Sequence, residues 1–335
     1  MDVLPVAISL DFLSATGFWI GVLTLAGIYG IFTLGLQLNV GYTGVVNFGQ
    51  AGFQAVGAYA AIILVVNTGV NFWLALPLAI LITMLISLPI GLSSLRLRAD
   101  YFAIATIAFA EIIRYIAQNG RELTGGNQGT IYLELHSDSG TFFTDGWFKV
   151  DDWMTANIFE PLGLSGTDWS GLPLLVTVWI VLIALAFGLR SLIRTPWGRV
   201  LRAVREDEDA ARALGKNAFS YKLQSLAIAA GLGALSGWFL AISLESVSQE
   251  SFLPLYTFIG YAILVLGGLA SFPGVLVGSV VMWVLLEGMR FAELPLAEDK
   301  IAALRFVFVG LILILLMAFR PQGALGKREE MVLGE

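Results

Sequence analysis

The chain contains no cysteine, and its 335 residues include a single histidine. Without cysteine there is no disulfide framework, thiolate metal site or cysteine nucleophile. One histidine cannot build a two-histidine zinc site or a haem ligand pair, and His136 lies in a polar stretch where an exposed, idle side chain is expected. Charge is scarce at 13% of residues, and no lysine or arginine precedes Arg96. A Gly-x-x-x-x-Gly-Lys-Ser/Thr phosphate loop is missing. Gly215-Lys216 is followed by Asn217 and Gly326-Lys327 by Arg328, and neither has the earlier glycine. No metal and no cofactor are expected in this chain, nor a nucleic-acid partner. No nucleophile and base pair suggests an enzyme. The first residues lack the basic region and cleavage pattern of a secretory signal, so they read as mature sequence.

What is abundant is hydrocarbon. Hydrophobic residues make up 57% of the chain and the mean hydropathy is +0.82, which places it in lipid. A bilayer core of about 30 Å takes roughly 20 apolar residues per helix. Windows of that kind occur near 17–38, 47–66, 72–95, 101–117, 172–192, 223–243, 256–271, 275–291 and 301–319. The expected fold is an all-α polytopic membrane helix bundle, one domain over 1–335, with about nine transmembrane helices. Eight or ten remain open, because the windows at 101–117 and 256–271 are short enough to be broken or tilted.

Basic loops stay on the cytoplasmic side during insertion. Residues 190–222 carry Arg190, Arg194, Arg199, Arg202, Arg205, Arg212, Lys216 and Lys222, and the tail RPQGALGKREE is also basic. The stretch 118–171 has only Arg121 and Lys149 against Glu122, Glu134, Asp138, Asp145, Asp151, Asp152, Glu160 and Asp168. It reads as an external insertion, and the loop 194–222 as cytoplasmic. With nine spans the N-terminus is then outside and the C-terminus inside. Trp147, Phe148, Trp153 and Trp169 in the insertion are expected to anchor at the membrane interface, with partner docking as the other reading. Glycine pairs at 17 and 21, 233 and 237, and 274 and 278 predict close helix approach.

The segment REDEDAARALG places acids first, Ala-rich helix formers next and glycine last, the layout of a short exposed helix with its acidic end at the positive pole. Its length and shape suit a knob for a partner's groove, whereas a loop that only sets topology needs basic residues alone. Arg199, Arg202 and Arg205 are either topology determinants or partners for acids on another chain.

Polar side chains are densest between 37 and 59: Gln37, Asn39, Tyr42, Thr43, Asn47, Gln50, Gln54 and Tyr59, interleaved with Gly41, Gly44, Gly49, Gly52 and Gly57. That spacing allows a broken or re-entrant helix whose freed backbone lines a cavity. Neutral amides and hydroxyls suit a zwitterion that passes quickly. Asn47, Gln50, Gln54 and Tyr59 are the candidate pathway residues, against the alternative that they bond one helix to another. Glu111 either joins that pathway or pairs with Arg114, three residues on.

Four blocks carry a family resemblance: LQLNVGYTGVVNFGQAGFQAVGAYA (36–60), LRLRADYFAIATIAFAEIIRYIAQN (95–119), GRVLRAVREDEDAARALGKNAFSYKLQSLAIAAGLGALSG from Gly198, and ILVLGGLASFPGVLVGSVV (263–281). In this order the chain resembles the LivM-type permeases of bacterial ABC importers for branched-chain and other neutral amino acids. The resemblance implies a multi-pass protein of the bacterial inner membrane. It assigns a coupling helix to Glu206, Asp207, Glu208, Asp209, Ala210, Ala211, Arg212, Ala213, Leu214 and Gly215. The partners it implies are a second homologous permease, two ATP-binding subunits that hold the ATP and magnesium, a periplasmic solute-binding protein and membrane lipid. A permease for urea, sugar or another small polar solute fits the same bundle. An ion-coupled carrier or channel has only Glu111 to offer as a mid-span carboxylate.

Overall fold

The computed structural model describes residues 11–136, 142–291, 298–319, 323 and 325–326. Asp138 and most of the basic tail lie outside the described residues. Every regular element among the described residues is helical: α1 Thr16–Leu36, α2 Gln50–Val66, α3 Phe72–Ser94, α4 Ala99–Asn119, α5 Arg121–Thr124, α6 Thr130–His136, α7 Asp145–Met154, α8 Leu172–Arg194, α9 Pro196–Glu206, α10 Glu208–Ala213, α11 Ala218–Leu244, α12 Leu255–Gly267, α13 Phe272–Phe291 and α14 Glu298–Phe319. Among the described residues, six stretches are long and apolar enough to cross a membrane. They contain α1, α3, α8, α11, α12 and α13. Three of the nine expected spans, in α2, α4 and α14, are not among them. The helix α2 has only 17 residues, and α4 carries Asp100, Glu111 and Arg114 within its 21 residues. This is a multi-pass membrane bundle.

At its centre α11 packs against α1, α2 and α3, while α1 also meets α8 and α13, and α12 lies along α13. The centre is dense because its contacts are small. A side chain at Gly57 would collide with the backbone of Ala234, and one at Gly237 with the carbonyl of Gln54, so α2 and α11 touch backbone to backbone. Gly274 and Gly278 likewise abut Gly267 and Ile263, as their spacing predicts. Gly17 and Gly21 do not; among the described residues a Cβ at either would meet nothing within 4 Å.

The peripheral helices invert the usual pattern. In α3 the buried positions are Phe72, Ala75, Ala79, Thr83, Ser87, Gly91 and Ser94, one narrow stripe of mostly small residues. Leu74, Leu81, Leu85 and Leu92 point away. With lipid as solvent, large apolar side chains gain nothing by facing inward, and small ones let helices approach.

The 118–171 insertion and the charged segment sit at opposite ends. The C-terminal end of α11 runs on to Val247, whose carbonyl accepts from Thr130 N at 2.9 Å; its N-terminal end adjoins α10. Its 27 residues separate the two by about 40 Å. The insertion folds into a cap whose apolar side chains join the bundle's core. Phe143 is fully buried against Phe72, their rings 5.2 Å apart, and Phe72 stacks on Trp238 at 4.9 Å. Trp147 is buried in this core rather than free to anchor, whereas Phe148 and Trp153 are exposed and Trp169 is half-buried. His136 is exposed and its ring stacks on Tyr132 at 4.0 Å.

Candidate functional site: the charged end and the broken helix

The acidic run does not start one helix. Pro196 opens α9, an amphipathic helix that buries Gly198, Leu201 and Val204 and ends at Glu206. Asp207 takes an extended conformation (φ −151°, ψ 106°), and its carboxylate accepts from Ala210 N at 2.9 Å. That is an N-cap, so Glu206 belongs to α9 while Glu208 and Asp209 form the first turn of α10. Gly215, at φ +75°, closes the unit in the left-handed region.

Phasing from that cap decides which alanine faces where. Ala211 is 3% exposed and packs with Val200, Val204 and Ala218. It anchors α10 to the bundle and is not part of the outward face. Ala210 and Ala213 are exposed, and Leu214 is 80% exposed, the most prominent apolar side chain at this end. Glu208 clamps the unit from both sides: it pairs with Arg212 at 2.6 Å and with Lys222 on α11. Asp209 stands 3.7 Å from Arg212.

Directly behind this knob the first membrane helix comes apart. After Leu36 the chain widens into a π-helical turn, Gln37–Thr43, and Gly44 then reverses it at φ +74°. Arg205, one residue before the end of α9, donates to the carbonyl of Gly41, and Gly44 lies against the Arg205 side chain. A cavity of about 280 Å³ separates the two elements and is lined by Thr43, Gly44, Arg98, Arg205, Glu208 and Lys222 among others. Arg205 thus links α9 directly to the broken segment.

Residues 44–49 are not helical, yet they run inside the bundle, where unmet backbone groups are expensive. Side chains of the break itself and of neighbouring helices meet several of them. Phe48 N donates to Thr106 Oγ1 of α4 at 3.0 Å, and Gly49 N to Asn47 Oδ1 at 2.8 Å. The first turn of α2 gives Ala51 N to Thr257 Oγ1 of α12 at 3.1 Å, and Tyr261 OH donates to the Asn47 carbonyl at 2.9 Å. The N-terminal ends of α2 and α12 thus meet in the interior. On the other strand of the break, Gln37 turns its amide oxygen to Ala270 N and Ser271 N, both at 2.6 Å, and Ser225 bridges Thr43 (2.7 Å) and Asn39 (3.1 Å).

The candidate pathway residues divide into two kinds. Asn47 and Gln50 are fully buried and engaged: Asn47 Nδ2 donates to Gln50 Oε1 at 3.3 Å, and Gln50 Nε2 to the Ala229 carbonyl at 2.9 Å. They pin the break. Farther toward the cap, Gln54 Nε2 donates to Ser236 at 2.8 Å, but its Oε1 is buried with no partner among the described residues. The hydroxyl of Tyr59 is also buried without one, and its ring rests 5.7 Å from that of Phe252. Beside it, Gln249 donates to Asn127 at 3.2 Å while its own Oε1 is unmatched. Glu111 takes both contacts of Arg114, at 2.8 and 2.9 Å, on the half-open flank of α4. Thr106, Thr257 and Tyr261 were invisible as site residues in sequence. Their only signal is a hydroxyl within an otherwise apolar helix. Among the described residues no group of three or more histidine, aspartate or glutamate side chains is arranged to hold a metal ion.

Comparison with known proteins follows the same outline. Residues 18–317 match the family described as branched-chain amino acid transport system / permease component. The chain is 34% identical, over 97% of its length and 74% of the relative's, to the high-affinity branched-chain amino acid transport system permease protein LivM of Salmonella typhimurium. It is 34% identical to the protein of the same name from Escherichia coli, over 96% and 73%. A probable branched-chain amino acid transport permease protein LivM from Methanocaldococcus jannaschii is 24% identical over 96% of this chain and 95% of its own. No solved structure matches.

Proposed function

This chain belongs to the family of branched-chain amino acid transport permease components, and from that premise we propose how it works. It is the membrane-spanning permease subunit of an ABC importer for branched-chain amino acids. ATP is hydrolysed on two separate ATP-binding subunits, which hold the nucleotide and magnesium. A second homologous permease completes the membrane part, and a periplasmic solute-binding protein delivers the cargo at the cap end. The chain crosses the bacterial inner membrane nine times when α2, α4 and α14 are counted with the six long apolar stretches, with its N-terminus outside and its C-terminus inside. The concentration of arginine and lysine in 190–222, set against the acidic 118–171, supports that orientation.

The ATP-binding subunits grip α10 as a coupling helix, Asp207 through Gly215, with Glu206 contributing from the end of α9. Leu214, Ala210 and Ala213 enter the partner's cleft, and Ala211 keeps the helix seated on its own bundle. The observation that carries the mechanism is the bond from Arg205 to Gly41, because it ties the gripped unit to the broken helix. Closure of the partner then rocks α9 and strains the 41–49 segment, a rigid-body input to a bistable element. Asn47 and Gln50 hold that segment in register. Gln54 and Tyr59, each with an unmet polar atom, are the groups that touch the passing zwitterion. Glu111, already paired, keeps at most a marginal place on the pathway.

The test is Leu214→Glu. A fully covered leucine is worth roughly 1.5–3 kcal/mol of burial, so the variant is expected to bring down the ATP-binding subunits at least tenfold less well, with uptake reduced in proportion and its own melting temperature unchanged. Normal co-purification and normal uptake in that variant would remove the coupling assignment.

A further inference from the structure

At the charged end a second cavity, of about 430 Å³, lies on the opposite side of α9 from the coupling unit, walled by Tyr42, Arg190, Arg194, Arg202, Ser271 and Phe272. Among the described residues no carboxylate lines it, and none of its three arginines takes part in an ion pair. The Arg202 guanidinium lies 5.9 Å over the Tyr42 ring, and that ring is held by its hydroxyl on the Ala270 carbonyl (2.7 Å) and by stacking on Phe272 (5.3 Å). Three cations from two helices converge on one space with no carboxylate among the described residues there to neutralise them.

The cavity also opens sideways. A smaller apolar slot of about 110 Å³ shares Arg190, Phe272 and Pro273 with it and continues between Ile183, Phe187 and Leu276. Arg190 and Arg194 end α8, whose 23 residues extend about 35 Å, so they stand at the edge of a hydrocarbon core of about 30 Å. The slot begins up to two turns deeper, where Ile183 and Phe187 face outward, Phe187 at 65% exposure. Cationic space at the polar boundary and apolar space at acyl depth, joined through Arg190, match one amphiphile. A cytosolic acidic protein surface would use the first space and leave the second unused.

We infer that these joined spaces bind an anionic phospholipid, its phosphodiester held by Arg190, Arg194 and Arg202 and part of one acyl chain lying in the slot between α8 and α13. A headgroup so held joins the end of α8, the exposed face of α9 and the 270–273 turn, and so bears on the same helix that carries Arg205.

Native mass spectrometry of the full chain in mild detergent tests this, with dioleoyl phosphatidylglycerol titrated against dioleoyl phosphatidylcholine. The phosphatidylglycerol adduct is expected to dominate. Arg190→Gln and Arg202→Gln, on different helices, are each expected to lower that preference about fivefold, the worth of one basic side chain near an anionic lipid. Their melting temperatures report whether each remains folded, and retention of full preference by either folded variant overturns the site. Arg96→Gln, a cationic position at the same end but outside the cavity, is expected to change nothing. An equal loss there would reduce the effect to diffuse surface charge and overturn the proposal. Soluble glycerophosphoglycerol at matched concentration is expected not to displace the lipid; displacement would mean a free phosphodiester site and overturn the lipid assignment.

Discussion

At the cap end, Phe72, Phe143, Trp147 and Trp238 interlock in one aromatic core that is continuous with the bundle, and Thr130 bonds across to Val247. At the charged end, α10 is seated by one buried alanine and one clamped glutamate, and the adjoining α9 reaches Gly41 through one arginine. The first arrangement distributes its contacts over a packed interior, so no part of it moves alone. The second is a rigid short unit joined through a few directional links, and it can be displaced as a piece. The difference separates a unit that can shift as a piece from a region that holds its place.

The sharpest way to break the comparison is Phe143→Ala. A fully buried aromatic removed from a packed core costs about 3–5 kcal/mol, so the melting temperature of the purified chain is expected to fall strongly. An unchanged melting temperature would mean that the cap is an appendage and not part of the bundle's core.

Next comes Ala211→Asp. The carboxylate has no room among Val200, Val204 and Ala218, and α10 is expected to leave its seat. Uptake should drop tenfold or more while the melting temperature stays within a few degrees, since the rest of the core is untouched. Transport and stability failing together would show that the charged end is as integral to the fold as the cap.

How far the sequence foresaw this contrast can be traced residue by residue. The bundle was legible because lipid demands long apolar runs, and the break at 37–49 because glycine and amides crowd there. The acidic run announced a short helix, but its register was hidden. An extended Asp207 splits the run, and once it caps α10 the 100° step per residue sends Ala211 inward and Leu214 outward. No composition argument distinguishes those neighbours. The supports of the break were equally hidden, because Thr106 and Thr257 come from positions 58 and 206 residues away from the backbone groups they meet. Trp147 read as an interface anchor because it is an aromatic residue close to membrane spans; the core that cap and bundle share, assembled from distant aromatics, claimed it.

A smaller effect is expected at the clamp. Glu208 is 30% and Lys222 17% exposed, so water screens the pair and its coupling in a double-mutant cycle of Glu208→Gln and Lys222→Gln should be about 1 kcal/mol. Hydrogen exchange of α10 amides reads it, with about fivefold faster exchange for either single variant and little further change in the double. A strictly additive cycle would leave Ala211 and Arg205 as the only working links.

The smallest effect separates the two ends by pH. In the cap, burial holds the Glu134 carboxyl above the usual carboxylate range; the Phe143 N–H that it accepts pulls the value back, and the Asp145 charge pushes it up again. The folded chain therefore binds this proton more tightly than the unfolded chain does. Its contribution to stability is greatest below the ordinary glutamate value and is lost as pH rises through the raised one. Asp151, raised by burial and by Asp152 against a hydrogen bond from Trp147, works in the same direction. Melting temperature should accordingly decline modestly from pH 4.5 to 7.5. Glu134→Gln keeps an oxygen for Phe143 N and removes the charge, so it should be at least as stable as the native chain at pH 7.5 and show a shallower decline. A slope identical to that of the native chain would place the titrating group elsewhere and show that the cap core tolerates a carboxylate at no cost, which its dense packing argues against.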